Sequence, residues 1–209
     1  MKISAEELPI QGYLLLDQFG HDELIPFLQK CMKTPSIYSR SFYLINIALF
    51  ALAVFCFSTD IWGEQYRVVD RLSYFATGLA VALALLPLHE LIHAAAYRLL
   101  GAQQTSFDMN FKKFYFMALA DKFVANRREF TIVALAPFVV ISCLLLVGML
   151  FGPVPWKFSL LGALLTHATM CSGDFGLLNY FAEHRDMDVV TFDDVASKVT
   201  YFYGKTREV

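Results

Sequence analysis

Apolar residues fall in four long runs that are separated by polar segments along the chain. The uncharged parts cover residues 41–59, 72–88, 130–156 and 158–173, and we expect the second and fourth runs to continue as helices to about residues 100 and 181. A helix needs about 20 apolar residues to cross the hydrocarbon of a bilayer. The pattern predicts an all-α membrane protein with four transmembrane helices, over about residues 41–59, 72–100, 130–151 and 158–181.

Polar segments flank the apolar runs and suggest three regions. We expect residues 1–40 to form a cytoplasmic N-terminal segment with short helices, and residues 41–181 to form the membrane domain. Residues 182–209 are charged enough for a cytoplasmic tail, in which residues 193–202 are predicted as a short amphipathic helix.

The connection between the second and third runs has a different pattern. Phe107, Met109 and Phe111 alternate with polar residues, and this period of two is typical of β-strands. A short β-hairpin fits the pattern, and so does a cytoplasmic loop with aromatic membrane anchors. The sequence leaves both alternatives open.

The composition agrees with a membrane protein. Apolar residues make up 57% of the 209 residues and charged residues 17%, whereas a soluble domain carries roughly 25% charged residues. A soluble chain of this size could not bury so much apolar surface, so the lipid bilayer is an expected partner. The net charge of -2 gives no indication of a nucleic-acid partner.

Basic residues are distributed unevenly among the connections. If four helices cross the membrane, 14 of the 17 Lys and Arg residues fall on the side that holds both termini. Because positive residues accumulate on the cytoplasmic side, we expect a multi-pass protein of the cell membrane with both termini in the cytoplasm.

The cysteines are widely spaced and are predicted to be free thiols.

The second run ends in the motif His89-Glu90-Leu91-Ile92-His93. Residues four apart lie on one face of a helix, so His89 and His93 can bind the same metal ion. Glu90 lies about 100° around the helix and can act on a water molecule as the general base. Imidazole ligands with an open position suit a catalytic zinc ion (Zn2+).

A third ligand is expected from the fourth run, where Asp174 is the only acidic residue. Asp174 lies 17 residues after Lys157, and His89 lies 17 residues after Leu72. Both of these helices are predicted to start from the extracellular side, so the two groups should reach a similar depth. A carboxylate is an acceptable zinc ligand, and we therefore predict His89, His93 and Asp174 as the ligand set.

Two further polar residues of the fourth run have open roles. His167 precedes Asp174 by two helical turns, about 10 Å along the axis, which is too far for both to bind one ion on a regular helix. It is predicted either to support the site or contact substrate, or to be a buried histidine satisfied by a neighbour. Asn179 could contact substrate backbone or serve at a helix end.

These motifs resemble those of site-2-protease-like membrane zinc metalloproteases. The resemblance is closer to a related family of small bacterial membrane proteins described as zincin peptidases, and it covers about residues 75–185. It implies that His89, His93 and Asp174 are ligands and that Glu90 is the general base. Site-2 proteases usually carry Asn-Pro before the ligand aspartate, and that dipeptide is absent from this sequence.

The function predicted from the sequence is that of a zinc-dependent, membrane-embedded peptidase. Its substrate would be a membrane or membrane-proximal protein. Two alternatives remain: a non-catalytic membrane protein with a structural or regulatory zinc site, and a zinc hydrolase that acts on a lipid or a small amide.

Overall fold

A computed structural model describes residues 3–59, 61–62, 66–110, 112 and 115–206. These residues form seven α-helices: α1 Leu24–Cys31, α2 Ile37–Ser58, α3 Val68–Ala84, α4 Leu86–Leu99, α5 Arg127–Phe151, α6 Val154–Met170 and α7 Ser172–Glu183. They also form six strands: β1 Leu14–Gly20, β2 Ser106–Asn110, β3 Tyr115–Leu119, β4 Ala125–Asn126, β5 Met187–Asp194 and β6 Val199–Thr206. The prediction of an all-α fold is therefore wrong.

The chain divides into two compact units. Unit 1 comprises Met1–Ser39, Glu90–Ala136 and Gly173–Val209. Unit 2 comprises Arg40–His89 and Pro137–Ser172. The polar segments at the two ends of the sequence both belong to unit 1.

Unit 1 contains a four-stranded antiparallel sheet in the order β1-β6-β5-β4. In β6, Thr200, Phe202 and Gly204 are buried and alternate with less buried residues. Such alternation, in a segment rich in β-branched and aromatic residues, favours a strand. The amphipathic helix predicted for residues 193–202 is therefore wrong, because these residues form the turn and paired strands of β5 and β6.

The connection between α4 and α5 contains a second, two-stranded sheet. Strands β2 and β3 pair antiparallel, with Ser106 opposite Leu119 and Asn110 opposite Tyr115. Of the two alternatives that the sequence leaves open for this segment, the structure has the hairpin. Phe111, which belongs to the alternating pattern, lies outside the described residues.

Aromatic side chains form the core of unit 1. The rings of Tyr180 and Phe202 lie 4.3 Å apart between centroids, and those of Phe130 and Phe181 lie 5.1 Å apart. Phe181 and Phe202 are fully buried. Because these residues come from α5, α7 and β6, the core fixes α7, with Asp174 in its first turn, against the sheet.

Unit 2 contains α2, α3, α6 and the larger part of α5. A Cβ atom at Gly78 of α3 would overlap the carbonyl oxygen of Ser159, and one at Gly162 of α6 would overlap that of Phe75. Small residues allow helix backbones to approach closely. The two glycines therefore explain why α3 and α6 pack backbone to backbone.

Among the described residues, α2 and α5 are long and apolar enough to cross a membrane, and the pair α3–α4 adds a third span if the bent pair is counted as one. Only 17% of the apolar window of α2 is buried inside the protein. Large apolar side chains of α5 also point outward, including Ile132, Val139, Leu144, Val147 and Leu150. Exposed apolar faces of this extent are typical of a surface that contacts lipid, so the chain has the features of a membrane protein.

The predicted fourth transmembrane helix is not found as one span. Helix α6 has 17 residues and ends at Met170, and α7 begins separately at Ser172. Seven residues of α6 are buried, among them Phe158, Leu161 and Leu164. The apolar run at residues 158–181 thus supplies packing inside the protein, a use that composition alone does not distinguish from contact with lipid.

Candidate metal centre

Helix α4 carries the His-Glu-x-x-His motif as a separate helical segment. The chain bends by 42° between α3 and α4. Pro87 lies in the first turn of α4, where a missing N–H costs no hydrogen bond. Leu85, between the two helices, still makes helical hydrogen bonds in both directions. Its N–H donates to the Val81 carbonyl at 3.0 Å, and its carbonyl accepts from the His89 N–H at 2.9 Å. The bend therefore starts a new helix whose first turns present the motif.

The three motif side chains lie close together on α4. His89, Glu90 and His93 are all buried, and each offers a ligand atom within 4.8 Å of the others. Buried ionisable groups are costly unless they are paired or bind a metal. Three such groups within two turns of a largely apolar helix therefore need a shared cation or a hydrogen-bond network.

In unit 1, the two ring nitrogens of His93 face the Val133 carbonyl and the Asp174 carboxylate. Its Nδ1 lies 2.9 Å from the Val133 carbonyl oxygen, and its Nε2 lies 3.1 Å from Oδ1 of Asp174. Because a carbonyl only accepts, the Nδ1–H must donate to Val133. The lone pair of a neutral ring at Nε2 then points at a carboxylate oxygen, and two acceptors at this distance require a proton or a metal ion between them.

Glu90 contacts the hairpin of unit 1. The backbone N–H of Ala118 in β3 donates to Oε2 of Glu90, with a nitrogen-to-oxygen distance of 2.7 Å. A hydrogen bond to a charged carboxylate is among the stronger ones in proteins. The carboxylate is thereby held beside the β3 backbone.

In unit 2, His89 faces a different pair of residues. Its Nδ1 lies 3.3 Å from Nε2 of His167, and that same atom lies 3.9 Å from Sγ of Cys171. All three side chains are buried. His167 therefore contacts a predicted ligand directly, and Cys171 is a candidate functional residue that the sequence analysis did not single out. The signal was available, since Cys171 follows His167 by four residues, the spacing of one helix face.

The side-chain amide of Asn179 is buried and hydrogen-bonded to residues from the end of α1 to the first turn of α2. Its side-chain amide donates to the carbonyl oxygens of Cys31 and Thr34, both at 2.7 Å. Its Oδ1 accepts from the Ser39 backbone N–H at 3.2 Å and from the Ser36 hydroxyl. These contacts favour the helix-end role of the two open alternatives, because they use the amide to join α7 to the end of α1 and the start of α2.

The residues fit a zinc ion. Two donors on one tetrahedral zinc ion lie about 3.3 Å apart when both bonds are about 2.05 Å long. The separation of 3.1 Å between His93 and Asp174 is close to that value. A metal-binding histidine also usually donates its other ring N–H to a carbonyl or carboxylate, as His93 does to Val133.

Neither the Val133 carbonyl nor the Ala118 N–H could be identified as part of the site from the sequence, because nearly every residue carries such backbone groups.

Comparison with known proteins gives a match at the level of a family. The model of the family described as "Putative zincin peptidase" matches residues 82–187, which is half of the chain and includes the motif of α4, the hairpin and Asp174. No curated protein and no solved structure matches the chain. The family description implies zinc as the cofactor and a metallopeptidase as the type of enzyme. This chain belongs to the "Putative zincin peptidase" family.

Proposed function

We propose that this protein is a zinc-dependent, membrane-embedded peptidase that hydrolyses a peptide bond with a water molecule activated beside helix α4. The observation that carries the proposal is the orientation of His93, whose Nδ1–H is used by Val133 and whose Nε2 faces Asp174 at 3.1 Å. Two acceptors directed at each other provide a place for a cation. Glu90, three residues earlier on the same helix, provides the base that hydrolysis requires.

The proposed ligands are His89, His93 and Asp174. His89 and His93 are four residues apart on α4, and Asp174 belongs to unit 1 together with His93. The chemistry that zinc supplies when bound is Lewis acidity, which makes a water molecule more acidic and the scissile carbonyl more electrophilic. Three protein ligands leave the fourth position for water or substrate, as a catalytic site needs.

Glu90 is proposed as the general base. Its carboxylate accepts the proton of the attacking water and then passes it to the nitrogen of the leaving amine. The Ala118 N–H holds this carboxylate in one orientation. A fixed base avoids the cost of reorientation at the moment of reaction.

The edge of β3 is proposed to position the substrate. In the part of the chain that the structure describes, β3 pairs only with β2, and the Ala118 N–H points away from that pairing toward Glu90. An extended peptide can add to such an edge through backbone hydrogen bonds. This would place a peptide bond of a membrane or membrane-proximal protein next to Glu90.

We also propose that the sheet of unit 1 lies in the cytoplasm. Strands β1 and β6 pair with each other, so residues 14–20 and 199–206 lie on the same side of any membrane. Unit 1, to which these strands belong, contains 13 of the 17 Lys and Arg residues, as expected for the cytoplasmic side.

The test uses the full-length chain purified in detergent and compares Glu90→Gln with the wild type. We expect the variant to retain zinc and to lose hydrolysis by about 10²- to 10⁴-fold, the usual contribution of a general base. Glu129→Gln is the matched control, because Glu129 caps the start of α5 through Asn126 and has no role in the proposed mechanism, so hydrolysis should stay unchanged.

Substrates are sought by mass spectrometry of membrane-protein fragments from cells with wild-type or Glu90→Gln protein. Fragments that require Glu90 support a peptidase. Full hydrolysis by zinc-loaded Glu90→Gln protein would contradict the role of Glu90. If Glu90-dependent products are lipids or small amides instead of peptides, the proposed substrate class is wrong.

A further inference from the structure

Unit 2 contains a second cluster of metal-ligating side chains, which shares His89 with the proposed peptidase site and adds two residues that the proposed mechanism does not use. It consists of His89 on α4, His167 near the end of α6, and Cys171, which directly follows α6. The relative exposures are 7%, 1% and 0%, so the cluster is screened from bulk water. The ligand atoms of the three residues all lie within 4.8 Å of one another.

The distances in this cluster match those between donors on one tetrahedral ion. Two imidazole nitrogens bound at about 2.05 Å lie about 3.3 Å apart, and a nitrogen and a thiolate sulfur bound at about 2.05 and 2.3 Å lie about 3.6 Å apart. The structure has 3.3 Å between His89 Nδ1 and His167 Nε2, and 3.9 Å between His167 Nε2 and Cys171 Sγ. A shift of a few tenths of an ångström would complete the arrangement.

We propose that His89, His167 and Cys171 form a second cation site, which takes a thiophilic cation such as zinc. A thiolate with two imidazoles favours such ions over magnesium or calcium, which bind oxygen ligands. Binding converts the Cys171 thiol to a thiolate and releases its proton to solvent. The inference does not require the protein to be a peptidase, because neither His93, Asp174 nor Glu90 belongs to this site.

The two donor sets share His89. An ion held by Cys171 and His167 uses an imidazole that the motif of α4 also needs, so the two sets compete for that residue. The second site would therefore be filled most readily when the ligands of the first are removed. Metal binding at the second site should therefore persist or increase in Asp174→Asn protein, which lacks one ligand of the first site.

Cobalt(II) is the probe, because a thiolate bound to cobalt gives an intense near-ultraviolet charge-transfer band that nitrogen and oxygen ligands do not give. Full-length protein in detergent is freed of metal with a chelator and titrated with Co²⁺. We expect the band in the wild type and in Asp174→Asn protein, and its loss in Cys171→Ser. His167→Gln should weaken cobalt binding at this site at least tenfold.

Cys56→Ser is the matched control. Cys56 is also buried and also belongs to unit 2, but it lies on α2 and is not one of the clustered donors. We expect the charge-transfer band to survive this substitution. Absence of the band from both the wild type and Asp174→Asn, or a band that persists in Cys171→Ser, would overturn the proposal.

A second measurement needs no variant and so remains informative if Cys171→Ser does not fold. The wild-type protein is treated with a thiol-alkylating reagent with and without Zn²⁺, and the modification of each cysteine is followed by peptide mass spectrometry. We expect zinc to slow the alkylation of Cys171 at least tenfold and to leave that of Cys56 unchanged. Equal protection of both cysteines, or of neither, would contradict a site at Cys171.

Discussion

The backbone N–H of Ala118 and the carboxylate of Glu90 form a hydrogen bond of 2.7 Å between the hairpin and helix α4. The contact joins two elements of unit 1 that are distant in sequence. If Glu90 is the general base, as we propose, the hairpin takes part in the chemistry as well as in substrate contact, because it orients the base beside the strand along which a peptide would bind.

Replacement of Ala118 by proline tests that role. Proline removes the N–H, so Glu90 loses a charge-assisted hydrogen bond worth about 1.5–3 kcal/mol. We expect kcat to fall at least tenfold while the zinc content stays the same. Phe116→Pro is the control for distortion of β3, since residue 116 lies two positions away on the same strand. Equal losses in both variants would show that strand distortion, and not the bond to Glu90, is responsible.

Replacement of Asp174 by asparagine tests the third ligand. The amide keeps the size of the side chain but removes the charge that faces Nε2 of His93 at 3.1 Å. In a Cys171→Ser background, which removes the second proposed cation site, we expect zinc affinity to fall at least tenfold, as measured by metal analysis after dialysis against a competing chelator. Asp186→Asn is the control, because that carboxylate is 92% exposed. Stoichiometric zinc in protein that carries both Asp174→Asn and Cys171→Ser would remove Asp174 from the ligand set.

Replacement of Asn179 by alanine tests a structural role. The substitution removes one hydrogen bond from each of the carbonyl groups of Cys31 and Thr34, and it leaves the buried N–H of Ser39 without its Asn179 acceptor. Because each unsatisfied buried group costs about 1–3 kcal/mol, we expect a loss of about 3 kcal/mol in the free energy of unfolding. Denaturant unfolding measures this loss, and Asn110→Ala at the end of β2 should cost less than about 1 kcal/mol. A selective fall in hydrolysis with unchanged stability would point to substrate contact instead.

The Asp108 carboxylate predicts a dependence of stability on pH. Burial raises its pKa, but hydrogen bonds from His21 at 2.9 Å and Lys198 at 3.0 Å outweigh this, so the pKa lies below its ordinary value. A carboxylate whose pKa is lowered by folding stabilises the folded state above the unfolded pKa of about 3.9, and this contribution is lost as the pH falls through the folded pKa.

We therefore expect Asp108→Asn to be less stable than the wild type near pH 6, and we expect the difference to shrink as the pH falls below about 4. Unfolding curves measured at several pH values give this difference directly. Asp186→Asn provides the baseline for an exposed carboxylate. A difference between wild type and Asp108→Asn that does not change with pH would contradict the assigned contacts of Asp108.

Spacing and alternation of residues within a short stretch of sequence were enough to predict features that involve only residues close together in the chain. The spacing of His89, Glu90 and His93 needs only a regular helix, and α4 provides one. Alternation of Phe107 and Met109 indicated strand β2, whose partner follows within a few residues. The position of Asp174 was argued from depth along the chain, and the structure places it beside His93.

Contacts between distant segments were not predictable in the same way. Strand β1 pairs with β6 across about 180 residues of sequence, and nothing in Leu14–Gly20 identifies that partner. The run at residues 158–181 satisfies the composition of a membrane span, but it is divided at Cys171 and largely buried in α6. The proximity of Cys171 and His167 follows from their spacing of four residues, but their contact with His89 on α4 could not be predicted from that spacing.

The order β1-β6-β5-β4 has a consequence for how the protein is made. Among the strands that the structure describes, β1 pairs only with β6, which is the last strand to leave the ribosome. A nascent chain therefore exposes one of its earliest strands throughout translation, while the apolar helices between the two strands are already being delivered to the bilayer. The sheet of unit 1, which also carries Glu90, His93 and Asp174, is complete only after synthesis has reached residue 206, so the site that we propose for peptide hydrolysis would not be assembled in a half-made protein.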